Sequence, residues 1–208
     1  MIKNIIYFGI SIILFFAGVI LYGVILNIRE VSLDEAMRAK GISKLNDVYL
    51  IVDKKNFKLD LYSDSVLVKT YKAVYGRNSS RVKKNMHDNV TPIGAYKICM
   101  VDTSNLYHKF LQLNYPSIDD VSEIYKNGYM EKGEYEKLIA TLSQNSCLPN
   151  DYEFNKKIGI HGIGEYNSIF KNLPFVFNWT NGSIAVSNEN IDELFAVTEI
   201  GTPVEIIY

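Results

Sequence analysis

Two residues of this chain could form a reacting pair. His161 ends the apolar run "KKIGIH" and is followed by Gly162. Ser183 is delivered by the polar turn Thr180-Asn181-Gly182, inside "NWTNGSIAVSNENIDELF". An imidazole can take a proton from a nearby hydroxyl, so the pair suits acyl transfer through a covalent ester. Gly182 lets the backbone turn sharply at the nucleophile, and is expected to leave amide N–H groups free for a developing oxyanion. A histidine at the end of an apolar strand also serves as a hydrogen-bonded structural residue, and Gly-Ser turns are common. The pattern alone leaves both meanings open. His87 in a polar loop and His108 beside a strand read as exposed residues without a role.

The elements that must position the pair are legible as periods. Phe57, Leu59 and Leu61 alternate with Lys58, Asp60 and Tyr62, a period of two that marks a strand. Lys54-Lys55-Asn56 and Ser63-Asp64-Ser65 sit between apolar runs as hairpin turns. Tyr96 to Val101, "FLQLNYP", "KKIGIHGIG" and "TPVEIIY" read as further strands. Ser32 with Glu35 forms a capping box for a short helix, Ser117 with Asp120 caps another, and Ser187 caps a third. Tyr135, Leu138, Ile139 and Leu142 form a helical stripe whose plain meaning is core packing.

Ahead of this lies Ile5 to Leu26, "IIYFGISIILFFAGVILYGVIL", without a charged residue. A bilayer core of roughly 30 Å takes about 20 apolar residues in a helix, and a cleavable signal has a shorter core with a small-x-small site. The run is longer, and "ILNIREVS" offers no such site, so residues 1–28 are expected to form an uncleaved single-pass anchor. Lys3 and the amino terminus precede the span, and Arg29 and Glu30 offset each other after it, which places the remainder on the extracytoplasmic side. Residues 29–46 read as a juxtamembrane linker with a short helix, and residues 47–208 as one globular domain. The net charge of −1 gives no electrostatic basis for nucleic-acid binding. A disulfide between Cys99 and Cys147 is permitted outside the membrane; by position, Cys99 reads as a small hydrophobe on a strand and Cys147 as an ordinary loop cysteine. No Cys/His spacing resembles a zinc site. Trp179 and Tyr115 are candidates to line the pocket.

The blocks "TPIGAYKI", "LNYPSIDD", "IGIHG" and "NWTNGSIAVSNENIDELFAVTEIGTPVEI" occur in an order that closely resembles the YkuD-type L,D-transpeptidase family, from about Val48 onward. The "NYP…D" and "WT.G.IAV" details are most similar to its murein-hydrolase-like branch. The resemblance implies a mostly-β sandwich domain with a few helices, acting on peptidoglycan stem peptides at the cell-wall side of a bacterial cytoplasmic membrane. It implies no metal or organic cofactor. The family's nucleophile is a cysteine in a Ser/Thr-His-Gly-Cys motif, served by the histidine of a His-Gly pair. The base maps onto His161-Gly162, and the motif onto Thr180-Asn181-Gly182-Ser183. Asn181 replaces the motif's histidine and can still donate a hydrogen bond. Ser183 replaces the cysteine, which touches the chemistry itself. A thiol ionises near pH 8.5, whereas a serine hydroxyl must lose its proton during attack. Two readings follow: acyl transfer through a weak serine nucleophile, or stem-peptide binding without turnover.

Overall fold

The computed structural model describes residues 2–28, 30–80, 83, 88–103, 106–144, 147–149, 157–171 and 177–208; His87 lies outside them. Helix α1 (Ile2–Ile28) is long and apolar enough to cross a membrane. Its large side chains, Ile5, Phe8, Leu14 and Leu21 among them, are exposed rather than packed in a core. Helix α2 (Leu33–Ala39) starts at Ser32 with both halves of the expected capping box. It packs on the domain: Leu33 joins the main core, and its amide donates to Glu193 at 2.9 Å.

Eight strands follow: β1 (Tyr49–Asp53), β2 (Lys58–Ser63), β3 (Val66–Lys72), β4 (Gly94–Asp102), β5 (Phe110–Leu113), β6 (Gly159–His161), β7 (Ile184–Ala185) and β8 (Pro203–Ile207). The expected hairpins are present, with Phe57 and Asp64 taking the positive φ that tight turns require. The strands form one mixed sheet in the order β3-β2-β1-β8-β4-β5-β6-β7. The last strand, β8, runs into the middle, parallel to β1 and antiparallel to β4. The sheet then curls until its ends meet: Val74, just past β3, exchanges backbone bonds of 2.9 and 2.8 Å with Ala185 of β7. That contact removes two open edges and encloses a core of Leu50, Val52, Leu59, Leu61, Val204 and Ile206 with Ile160 and Ile184.

Helix α6 (Asn188–Val197), capped by Ser187, adds Ile191 and Leu194 to this core. Helices α3 (Ile118–Lys126) and α4 (Lys132–Gln144) make a hairpin with its own small core of Val121, Leu138 and Leu148. The predicted stripe of Tyr135, Ile139 and Leu142 packs against it. A disulfide between Cys99 and Cys147 joins β4 to the segment after α4, with Cα atoms 5.5 Å apart. This corrects the reading of Cys147 as an ordinary loop cysteine and of Cys99 as a plain apolar filler: both sulfurs are spent on bracing the hairpin. A short turn of 3-10 helix (Gly164–Tyr166) and helix α5 (Asn167–Phe170) follow β6.

Candidate active site

The register of β4 to β7 decides which side chains meet. Leu111 pairs with Ile160, and Ile160 with Ile184, all fully buried in the core. Because side chains alternate along a strand, their neighbours face the other way. On that outer face Phe110 pairs with His161 and Asp102 with Phe110; one step along, Gln112 pairs with Gly159 and Met100 with Gln112. Ser183 precedes Ile184, so it shares this face beside Gly159. His161 and Ser183 are therefore diagonal neighbours on two adjacent parallel strands. Both open into one cleft of about 430 Å³, whose other walls are Met100, Asp102, Tyr107, Phe110, Lys157, Trp179, Thr180 and Asn181.

His161 is only 3% exposed. Its Nδ1 lies 2.7 Å from the carbonyl of Gly162, an oxygen that can only accept, so Nδ1 carries the proton and Nε2 keeps its lone pair. Tyr107, Phe110 and Trp179 surround the ring at centroid distances of 4.5, 6.0 and 6.2 Å. Burial lowers its pKa to about 4, against a smaller upward pull from the Gly162 carbonyl. The imidazole is thus neutral at pH 7 and able to accept a proton. Gly162 is required for this seat: a Cβ there would stand 2.7 Å from Asn188 Oδ1 and 2.8 Å from the Tyr107 carbonyl. Asn188, in the first turn of α6, fastens the loop beyond it, accepting from Gly164 N–H and donating to Gly164 C=O, each at 2.9 Å.

Ser183 is held by a wound turn. Thr180 bonds across to the strand end at Tyr75 and Arg77, both at 3.0 Å. Its hydroxyl donates to the Ser183 carbonyl at 2.6 Å and accepts from Gly182 N–H at 3.2 Å. Gly182 sits at φ +123° with its Cα against the Val90 carbonyl, which a Cβ would approach to 3.0 Å. The turn needs glycine, as expected. The expectation of a free Gly182 amide is overturned, because the Thr180 hydroxyl already occupies it. Ser183 Oγ accepts from Gly159 N–H at 3.3 Å. Among the described residues no hydrogen bond joins His161 to Ser183.

The structure thus gathers His161, Ser183, Thr180, Asn181 and Trp179 around one cleft, with Gly162 and Gly182 shaping its backbone. Tyr115 is elsewhere. It is buried against Tyr96 and lines a separate cavity of about 310 Å³ with Lys83, Asp120 and Tyr129. His108 is on the surface, 2.8 Å from Asp192. Tyr107, Phe110, Met100, Asp102 and Lys157 went unnoticed in the sequence. The alternation of "FLQL" could have placed Phe110 on the outer face, but not beside His161. Among the described residues no group of three or more His, Cys, Asp or Glu could hold a metal ion.

The family model described as the L,D-transpeptidase catalytic domain, YkuD, matches residues 47–206. No curated protein matches the chain. Among solved structures, the chain is similar to the Bdellovibrio bacteriovorus protein Bd1075, with 18% identity, TM-score 0.49, and coverage of 78% of this chain and 48% of the other. It is similar to the helical cell shape determining protein Pgp2 from Campylobacter jejuni, with 16% identity, TM-score 0.47, and coverage of 84% and 54%. It is also similar to the L,D-transpeptidase from Xylanimonas cellulosilytica, with 15% identity, TM-score 0.43, and coverage of 79% and 62%. The chain therefore spans about half to three-fifths of the length of these structures.

Proposed function

This chain belongs to the YkuD family of L,D-transpeptidase catalytic domains, and from that membership we propose a membrane-anchored, L,D-transpeptidase-like protein that takes peptidoglycan stem peptides in the His161–Ser183 cleft. In this reading residues 1–28 anchor the chain in the cytoplasmic membrane, residues 29–46 connect, and residues 47–208 face the cell wall. The observation that carries it is the pairing of β6 with β7. It sets a neutral histidine with an open Nε2 and a half-buried serine on one face of one cleft.

The chemistry follows from those atoms. Ser183 Oγ attacks a stem-peptide carbonyl carbon as its proton moves to His161 Nε2. The carbon–nitrogen bond then breaks, His161 returns the proton to the leaving amine, and an ester on Ser183 remains. An acceptor repeats the sequence in reverse. Trp179, Tyr107 and Phe110 exclude water from the imidazole, and Asn181 at the exposed rim is placed to donate to the peptide backbone.

Turnover depends on Ser183. A hydroxyl lacks the ready anion that a thiol supplies, and about 5.5 kcal/mol of extra barrier removes a factor of 10⁴. One contact favours the second reading, binding without turnover: Ser183 Oγ is engaged by Gly159 N–H, and His161 does not reach it. Intact-mass spectrometry of the full chain in detergent micelles after carbapenem treatment separates the two, with Ser183→Cys alongside. An adduct mapping to Ser183 on the unaltered chain establishes the acyl-transfer reading. An adduct on the Ser183→Cys chain alone establishes an intact pocket without an effective nucleophile. No adduct on either refutes the assignment of the site.

A further inference from the structure

Two opposite charges in the cleft have no partner among the described residues. Asp102 and Lys157 both line the cavity and both are exposed, and among the described residues neither side chain forms an ion pair or hydrogen bond. Nearby charges are spent on each other: Asp192 takes Lys109 and His108, and Glu189 takes Lys171. The register fixes where the free pair stands. Asp102 shares its row with Phe110 and His161. Leu113 N–H donates to the Ile158 carbonyl, so the β5–β6 pairing continues past Gly159 and puts Lys157 one alternation beyond it, on the same face. At about 3.3 Å per residue and 4.8 Å per strand, the two Cα atoms are roughly 16 Å apart. By the same spacings Ser183, on β7 beside Gly159, is roughly 8 Å from Lys157 and roughly 16 Å from Asp102, with His161 in Asp102's row. Lys157 stands next to the serine, and Asp102 stands beyond the histidine.

We propose that Lys157 and Asp102 are specificity-determining residues of this site: Lys157 binds a carboxylate on the acyl-donor peptide, and Asp102 binds the ammonium of an amine acceptor. The proposal rests on the functional reading above. The direction follows from the proton path. His161 serves the departing and arriving nitrogen, so the amine side of the reacting bond lies towards His161 and Asp102. The acyl portion extends the other way, past Ser183 to Lys157. The deacylation balances within the site. The ammonium captured at Asp102 releases one proton to solvent and leaves for the acyl carbon as a neutral amine. Its nitrogen bonds to that carbon, its second proton passes through His161 Nε2 to Ser183 Oγ, and the ester C–O bond breaks.

Trp179 is the chain's one tryptophan and lines the cleft, so its fluorescence reports occupancy. The test uses the full chain in detergent micelles and synthetic stem tetrapeptides in three forms: unmodified, with carboxylates amidated, and with the side-chain amine acetylated. Exposed ion pairs are worth a few tenths to about 1 kcal/mol, which corresponds to a change of roughly 2–5-fold in Kd. Amidation is expected to weaken the unaltered chain by that factor and to leave Lys157→Gln indifferent. Acetylation is expected to do the same through Asp102→Asn, and Lys157→Glu to prefer the amidated peptide. Binding that responds to neither modification, or responds equally in the variants, overturns the charge bracket while the cleft assignment stands. The lack of any Trp179 response to all three peptides overturns both.

Discussion

Acidification tests the seat of His161. Its pKa falls from an ordinary 6.5 to about 4 because the ring is buried among Tyr107, Phe110 and Trp179. The folded state then binds fewer protons than the unfolded chain between those two values. Above pH 6.5 both states hold a neutral imidazole and the group leaves stability unchanged. As the pH falls from 6.5 towards 4, the unfolded chain takes up a proton that the folded chain refuses, and stability is lost. The gap between those two values corresponds to roughly 3 kcal/mol, a ceiling that local opening of the cleft would reduce. Asp120 acts with the opposite sign, since burial raises its carboxyl, so the readout must be a difference. Urea unfolding of the full chain in micelles, followed by Trp179 fluorescence, is compared with His161→Gln from pH 7.5 to 4.5. With a slope of about 2 kcal/mol per molar urea, the unaltered midpoint should fall up to about 1.5 M further than that of the variant over the full window. Parallel pH profiles would refute the argument that burial neutralises this histidine.

The disulfide gives a second expectation. It closes a loop with a sequence separation of 48 and ties the α3–α4 hairpin to β4. Cys99→Ser with Cys147→Ser should cost about 2–4 kcal/mol in urea unfolding. Reduction with dithiothreitol should reproduce the loss and leave the double variant unchanged; an equal response of both proteins would exclude the bridge as its source.

Much of the site's machinery was legible residue by residue. The capping boxes at Ser32 and Ser117 are local, and sequence spacing defines them. The period of two in β2 was also readable, since it depends on residues close in the chain; the grouping of His161 with the Ser183 turn, 22 residues apart, was open in the bare pattern and came from the resemblance. What escaped depends on register. Alternation says that Phe110 and Gln112 share a face, but not that the face meets His161, because strand order brings β5 beside β6 across a long insertion. The same cause hid Asp102 and Lys157. Tyr115 was misplaced because the chain leaves β5 at Leu113 and carries it to the α3 side. The Gly182 amide was misjudged because the Thr180 side chain folds back onto its own turn, and the flexibility of glycine says nothing about which acceptor its N–H finds.

Serine at position 183 also bears on the histidine. In a thiol–imidazole site the two groups ionise together, and the thiolate holds the imidazolium that took its proton. Ser183 cannot supply that anion, and a hydroxyl offers nothing to offset the burial of a charged ring. The low pKa of His161 follows from its burial, and a serine at position 183 leaves it there. Ser183→Cys places an ionisable sulfur diagonally across from His161, and an opposite charge within about 4–6 Å raises an imidazole by roughly 1–3 pH units. With the imidazole at about 4 and a free thiol at about 8.5, a coupling of that size leaves the neutral pair favoured. The titration of the His161 ring, followed by NMR in labelled protein, is therefore expected to stay near its low value in Ser183→Cys. An upward move that alkylation of the thiol reverses would refute the argument that burial sets this imidazole, and would show that the cleft can form the ion pair on which thiol chemistry depends.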